Sequence, residues 1–428
     1  MKTIRLSNGN IVTDSTVIRR DIVLRDGVIS FDDSGVRCDQ TIDITGKYVV
    51  PGFIDIHFHG YNFFDFTYGI YDAQKKMFDS SKEAYHNGFA MLANLLPSFG
   101  VTSYYLATIA APVERIKAAC GHLRQFADSQ PIGSKLLGVL LEGTFINSKM
   151  CGAQNPAYIY EPSPDVFESF DASDVIKMVN LAPECGQKTL EFIRYLTDKN
   201  IITAAGHCNA TGDQIDAAVK AGLKYFVHFL NGPTGHSFKP FDGGGSVESV
   251  LRNESLYVEQ IVDGFHIAPS YVREVIGRKG IDKIIGITDA LYAAGANIKQ
   301  FDMGGIMARM SDNCEYFSVL GKPNTLCSSA LTMNKAFGNL LSWLTSDMPG
   351  VWRRMHEAHS LEEALVMAAK ACSSNPAELM GLNKHGYGKI ADGAAADICI
   401  VDIKGHGGGY NAAVEKTIVD GNIVYSKN

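Results

Sequence analysis

Six residues of this chain are of the kinds that hold metal ions or move protons: His57, His59, Glu142, His207, His228 and Asp289. Each closes an apolar run that reads as a strand. His57-Phe58-His59 follows Pro51-Gly52-Phe53-Ile54-Asp55, and residues two apart on a strand share a face, so both imidazoles can reach one ion. Glu142 follows Leu140-Leu141, His207 follows Ala204-Ala205-Gly206, His228 follows Tyr225-Phe226-Val227, and Asp289 stands in Thr288-Asp289-Ala290. Any one of them alone has a plain structural reading as a hydrogen-bonded side chain at a strand end. Several coinciding at the ends of separate strands are hard to attribute to structure alone. Imidazoles and a carboxylate around one ion leave a position open for water. Asp289 beside that water could accept its proton and return it to a leaving amine.

Other chemistries find less support. Cys327-Ser328-Ser329-Ala330 is not a Gly-x-Ser-x-Gly elbow, and no phosphate-cradling glycine loop occurs. The nine cysteines include no Cys-x-x-Cys pair, which points to reduced thiols and away from cysteine-ligated zinc. His266, in Asp263-Gly264-Phe265-His266, either orients a substrate or caps its loop. Asp55 and Glu184 are candidates for supporting the ligands. The other seven histidines (86, 122, 236, 356, 359, 385 and 406) read as surface or structural residues.

These residues need elements that bring them together. The middle of the chain alternates apolar runs with helical stretches, the pattern of a parallel sheet. Eight strands are predicted: Val49–His57, Val101–Ala107, Leu136–Glu142, Val175–Leu181, Ile201–Gly206, Lys224–Phe229, Leu256–Val262 and Lys283–Asp289. Helices are expected over Ala73–Gly88, Val113–Asp128 and Gly186–Lys199, with a pair within Ala358–Gly381 finishing the barrel. The fold class expected is α/β, a (β/α)8 TIM-like barrel, whose strand ends converge on one rim. A doubly wound sheet is the alternative, without a Gly-x-Gly-x-x-Gly to support it.

Both chain ends read as short strands broken by turns such as Asn8-Gly9-Asn10 and Asp420-Gly421-Asn422. Neither end has strands enough for a stable sheet, so together they are expected to form one small β-sandwich. The expected division is 1–52 and 385–428 for the sandwich and 53–384 for the barrel. A net charge of -7 with interspersed signs argues against a nucleic-acid surface. No apolar run approaches the ~20 residues that cross a bilayer, and Met1–Asn10 has no signal-peptide core; a cytoplasmic enzyme is expected.

The pattern resembles the amidohydrolase superfamily and, within it, the N-acetylglucosamine-6-phosphate deacetylases. The matching segments include Pro51-Gly52-Phe53-Ile54-Asp55-Ile56-His57-Phe58-His59-Gly60, Leu141-Glu142-Gly143, Ala205-Gly206-His207-Cys208-Asn209-Ala210, His228-Phe229-Leu230-Asn231, Asp263-Gly264-Phe265-His266 and Thr288-Asp289-Ala290, in order along nearly the whole chain. The resemblance implies a homodimer that removes acetate from an N-acetyl amino sugar phosphate. One metal would be held by Glu142, His207 and His228, and a second by His57 and His59, with Glu142 able to bridge. Zinc or iron is the expected ion, with manganese and cobalt as options. Asp289 would be the general base and acid. Ala153, Gln154, Asn231, Gly232, His266, Lys239, Leu326, Cys327 and Ser328 would surround the substrate.

Two departures bear on substrate choice. Where the family carries a histidine that polarises the acyl carbonyl, this chain has Gln154. Where the family carries a phosphate-binding arginine, Pro233–Pro240 has none, leaving Lys239 or His236 as substitutes. The alternatives are therefore a related amidohydrolase acting on N-acetylgalactosamine 6-phosphate, an unphosphorylated N-acetyl sugar or an N-acyl amino acid, and a catalytically silent binding protein.

Overall fold

The computed structural model describes residues 2–32, 35–127, 129–231 and 241–427. Eight parallel strands lie side by side in chain order: β1 Phe53–Asp55, β2 Val101–Ala107, β3 Lys135–Phe145, β4 Ile176–Leu181, β5 Ile202–Ala205, β6 Tyr225–Phe226, β7 Tyr257–Ile261 and β8 Ile284–Ile287. The sheet curls until β8 meets β1, where Asp289 N donates to His57 O at 2.9 Å. Ile54, Tyr105, Leu140, Met178, Ala204, Tyr225, Tyr257 and Ile285, one from each strand, form a common apolar cluster. Such a cluster fills the interior of a small barrel, and residues two further along each strand share that inward face.

Helices cover the outside because their apolar residues recur at three and four. Val113–Ala127 buries Ile116, Ala119, Cys120 and Leu123, and Gln187–Asp198 buries Thr189, Phe192, Ile193 and Leu196. Leu361–Ala369, a π-turn at Lys370–Ser374 and Asn375–Leu379 form the expected helical pair. This segment seals the amino ends of the strands: Asn375 Nδ2 donates to Ile281 O and Ile284 O at 2.7 and 2.6 Å, and Ala377 joins the interior cluster.

The two chain ends share a sheet. Tyr48–Pro51 runs antiparallel to Ile398–His406, with Val50 opposite Cys399, and parallel to Asn10–Val12. Gly409–Val419 and Asn422–Ser426 extend one side of this six-stranded sheet and Val17–Arg19 the other. A four-stranded sheet of Val28–Ser30, Ile22–Arg25, Ile4–Ser7 and Gln40–Asp43 lies against it. Leu6, Ile22 and Leu24 of one sheet pack with Ile11, Ile400 and Ile418 of the other. Each such buried side chain contributes about 1.5–3 kcal/mol of apolar burial.

Three expectations need correction, and one sheet had no counterpart among them. The predicted strand Val49–His57 breaks at Gly52, so that Tyr48–Pro51 pairs in the outer sheet and Phe53–Asp55 in the barrel. A Cβ at Gly52 would lie 2.2 Å from Thr102, and this close crossing is what lets the chain change sheets. The helix expected over Ala73–Gly88 is Lys82–Leu95 instead. Asp72 holds the backbone N–H groups of Gln74 and Lys75 in a turn, Gly69–Asp72 and Met77–Asp79 pair as a hairpin, and Ser81 caps the helix by accepting from Ala84 N. The predicted strand Lys224–Phe229 shortens to Tyr225–Phe226. Finally, residues 300–329 form an unforeseen antiparallel sheet of Gln300–Met303, Ile306–Met310, Tyr316–Val319 and Lys322–Ser329, turned at Gly304-Gly305 and Leu320-Gly321.

All nine cysteines are free thiols. Among the described residues no helix is long and apolar enough to cross a membrane.

Candidate metal centre

The barrel topology carries all six sequence-predicted residues to the carboxyl rim. His207, His228 and Asp289 each lie two residues beyond the last residue of β5, β6 and β8, and His57 two beyond β1. Glu142 lies inside β3, which runs on to Phe145 through an irregular register. Gly143 takes φ +85° there, and a Cβ on it would lie 2.4 Å from Ala110 N. His207, His228 and Asp289 have φ of +47°, +27° and +49°. Left-handed backbone in non-glycine residues costs on the order of 1–3 kcal/mol each and persists where the surroundings enforce it.

Glu142 is the hub. Its Oε1 lies 3.0 Å from His228 Nε2, 3.4 Å from His207 Nε2 and 3.7 Å from His57 Nε2, and its Oε2 lies 3.7 Å from His59 Nε2. Asp289 Oδ1 sits 3.2 Å from His59 Nε2 and 3.9 Å from His57 Nε2. By proximity the ligand atoms form two overlapping triads, His57/Glu142/His228 and His57/His59/Asp289. Every imidazole is tethered through its other nitrogen. Nδ1 faces Glu259 Oε2 in His57 (2.8 Å), Ala107 O in His59 (3.3 Å), Met150 O in His207 (3.0 Å) and Asn231 O in His228 (3.2 Å). All four partners are acceptors, so each Nδ1 carries the proton and each Nε2 turns a lone pair inward.

That arrangement fits a divalent cation. Four lone pairs and two carboxylates converge, and His57 Nε2 is fully buried without a hydrogen bond. Acceptors facing acceptors repel unless a cation lies among them. With protons as the only cations, burial opposes charge on every group. The His207, His228 and His57 imidazoles nonetheless hold the Glu142 carboxyl well below the usual carboxylate range. Asp289 is likewise lowered against burial, chiefly by His59, and His57 is raised well above its ordinary value against burial, by Glu259 and Glu142. Positive charge is what this cluster lacks, and among the described residues no Lys or Arg pairs with Glu142, Asp289 or Glu259.

A cavity of about 580 Å³ opens above the cluster, walled by His59, Glu142, His207, His228 and Asp289, with His57 beneath the wall. Ala153, Gln154, Asn231, His266, Leu326, Cys327 and Ser328 all line it. Gly232 and Lys239, and His236 with them, lie outside the described residues. Gln154 is anchored: its Oε1 accepts from Ala110 N at 2.7 Å and its Nε2 donates to Glu142 Oε2 at 2.9 Å, leaving one amide hydrogen. His266 Nδ1 bonds Asp263 Oδ2 at 2.6 Å, while the loop-capping role belongs to Asp263, which accepts from Phe265 N and His266 N. The sheet of residues 300–329 is fastened to the site through Ser329 N, which donates to Asp289 O at 3.0 Å, and through the Ser328 hydroxyl, which donates to the same carbonyl.

The amidohydrolase family model matches residues 48–424. The chain belongs to the amidohydrolase family. It is 26% identical to N-acetylglucosamine-6-phosphate deacetylase of Bacillus subtilis (strain 168), over 97% of each chain. It is 28% identical to the enzyme of that name from Lysinibacillus sphaericus, over 89% of each. The crystal structure of the Pasteurella multocida N-acetylglucosamine-6-phosphate deacetylase superposes with a TM-score of 0.79 at 26% identity, covering 99% of this chain and 100% of that one. Amidohydrolases are metal-dependent, in keeping with the donor set above.

Sequence reasoning missed three contributors to this amidohydrolase site. Glu259 lies on the inward face of β7, and its one signal in the sequence is a Glu that interrupts the buried strand Tyr257-Val258-Glu259-Gln260-Ile261. Lys149 and Lys322 line the cavity, and only the fold brings Lys322 there, on the unforeseen sheet. Of the two residues suggested for support, Asp55 accepts from the Thr288 hydroxyl at 2.6 Å and from His57 N at 3.4 Å, whereas Glu184 Oε1 accepts from Asn147 Nδ2 and Asn209 N, both at 2.7 Å and neither of them a candidate ligand.

Proposed function

We propose that this amidohydrolase removes the acetyl group from an N-acetyl amino sugar, with N-acetylglucosamine 6-phosphate as its substrate. The observation that carries the reading is the convergence of Glu142, four Nε2 lone pairs and Asp289 at the floor of one cavity, in a chain whose relatives bear that activity in their names. The overall change is amide plus water to amine plus acetate.

One ion is assigned to Glu142, His207 and His228 and a second to His57 and His59, with zinc or iron as the metal. A cation there supplies Lewis acidity to water and to the acyl carbonyl. Asp289 takes a proton from the attacking water and delivers it to the leaving nitrogen as the C–N bond breaks. Its position supports this role: it reaches His59 with Oδ1 and still lines the cavity. Gln154 and His266 are assigned to the acyl and sugar groups, as both line the cavity with side chains held by neighbours. Lys149 and Lys322 are assigned to the phosphate. Neither ammonium is in an ion pair among the described residues, so both are available to an anion.

The working form proposed is a cytoplasmic homodimer; free thiols and a phosphorylated substrate support the compartment, and light scattering tests the assembly. Residues 1–52 and 385–428 are assigned to one sandwich unit and 53–384 to the hydrolase barrel, on the strength of the shared outer sheet. The deciding experiment is acetate release from N-acetylglucosamine 6-phosphate, its galacto epimer, unphosphorylated N-acetylglucosamine and an N-acetyl amino acid by metal-loaded protein. Turnover of the first well above the others is expected. Turnover confined to an unphosphorylated compound would overturn the phosphate assignment, and none on any of them would overturn the reading.

A further inference from the structure

Glu259 lies wholly inside the barrel and outside the cavity wall, so it touches neither solvent nor substrate. It stands two residues after Tyr257 on β7, and so shares that residue's inward face, below the metal centre. Its Oε2 accepts two hydrogen bonds, from His57 Nδ1 at 2.8 Å and from the backbone N–H of His228 at 3.1 Å. Its backbone carbonyl accepts from Phe229 N at 2.8 Å, so the whole residue is clamped to the turn that carries His228.

We propose that Glu259 is a positioning residue that couples the two metal positions by holding one ligand from each. This rests on the two-ion assignment above. Of the four imidazoles, His57 alone has a carboxylate behind it, whereas the other three have backbone carbonyls. A charged acceptor fixes the Nδ1–H tautomer more firmly and makes Nε2 a better donor.

A purely structural role accounts poorly for the same facts. A hydrophobic residue would fill the interior without the desolvation penalty of a buried carboxylate, and Glu259 Oε1 has no hydrogen-bond partner at all. The centre thus buries three carboxylates, Glu142, Asp289 and Glu259, against no lysine or arginine partner among the described residues. One divalent ion leaves that set net negative, and a second reverses the imbalance. Glu259 therefore supplies the charge that makes the second ion favourable, while its bond to His228 N transmits the loss of either ligand's geometry to the other position.

The test is metal binding, read without turnover. Metal-free protein is titrated with zinc by calorimetry, and bound zinc is counted by elemental analysis after gel filtration. The native protein is expected to hold two ions. Glu259→Gln, of equal size, is expected to keep one and to bind the second about 10–100-fold more weakly. Glu259→Asp serves if the Gln variant does not fold, and should bind the second ion with intermediate affinity. In steady-state assays kcat should fall while KM stays put, since the side chain is off the cavity wall. A native protein that holds one ion, or a folded variant with an unchanged two-ion isotherm, would overturn the proposal. Because no substrate enters the titration, failure of the deacetylase reading would leave this result standing, and the reverse.

Discussion

The Thr288 hydroxyl donates to Asp55 Oδ2 at 2.6 Å, joining residues 233 positions apart across the one seam of the barrel without a strand ladder. Both groups are buried, and burial pushes the Asp55 carboxyl up to about 7. Removing the donor leaves a buried acceptor short of a partner. Thr288→Val is expected to lower stability by about 1–3 kcal/mol, read as a lower urea midpoint of the metal-loaded protein. An unchanged midpoint would mean that backbone contacts alone hold the seam.

Asp289 is the group whose loss should separate metal binding from chemistry. An amide in its place keeps the shape and cannot take a proton. Asp289→Asn is expected to retain its metal content while kcat falls by roughly 10²–10⁴. Elemental analysis and acetate release on the same preparation check both halves. Loss of metal in this variant would reassign Asp289 as a ligand first.

Chelation should expose how far the centre depends on its ions. With the cation gone, carboxylates and lone pairs confront one another in a buried space. Activity should vanish and the thermal midpoint should drop; an ion present at ~1,000 times its Kd contributes about 4 kcal/mol. Zinc, ferrous iron, manganese or cobalt is then added back in turn, and recovery with at least one is expected.

The positions of the candidate metal centre are readable because each of these side chains ends an apolar run, and a parallel barrel turns strand ends into neighbours. Glu142, His207, His228 and Asp289 needed no pairwise contact to be inferred, only the rule that carboxyl ends converge. What stayed hidden depends on long-range approach. Glu259 looks like a flaw in a strand until His57, 202 positions away, is placed over it. Gly52 marks a change of sheet only once Thr102 is seen against it. The stretch from Val49 to Ile54 has no charged or hydrogen-bonding side chain to break it, so periodicity joins two strands that belong to different sheets. In the same way, Asp72 and Ser81 act through turn and cap hydrogen bonds that a helical pattern over 73–88 overrides on paper.

Lys149 and Lys322 test the substrate's charge. Replacing either with Gln should raise KM for N-acetylglucosamine 6-phosphate by roughly tenfold or more, as expected for one charge-assisted hydrogen bond. The rate on unphosphorylated N-acetylglucosamine should hardly move. Equal effects on both compounds would place these lysines elsewhere than at the phosphate.

Asp65 should leave a mark on the pH dependence of stability. Burial raises its carboxyl to about 6, against the lowering effects of His59 and two backbone N–H groups. The folded state then holds this proton more tightly than the unfolded chain, whose carboxyl titrates near 4. As pH rises from about 4 through 6, ionisation favours the unfolded chain, and the cost is fully present above 6. The stability of Asp65→Asn relative to the native protein should therefore improve between pH 4 and 7.5, by up to about 3 kcal/mol for a two-unit shift. A constant difference across that range would show that Asp65 ionises freely.

The pairing of Val50 with Cys399 has a further consequence, for the order of events during synthesis. All eight barrel strands precede residue 290, so the catalytic rim can assemble while the partner of Tyr48–Pro51 is still unmade. Until residues 398–426 leave the ribosome, the strands at Asn10–Val12 and Tyr48–Pro51 present an open edge. Such distant pairing is slow, and an arrested or truncated chain would expose a sticky β-edge beside a nearly finished barrel. The interval between those two moments is where this protein is most exposed to aggregation and most in need of a chaperone.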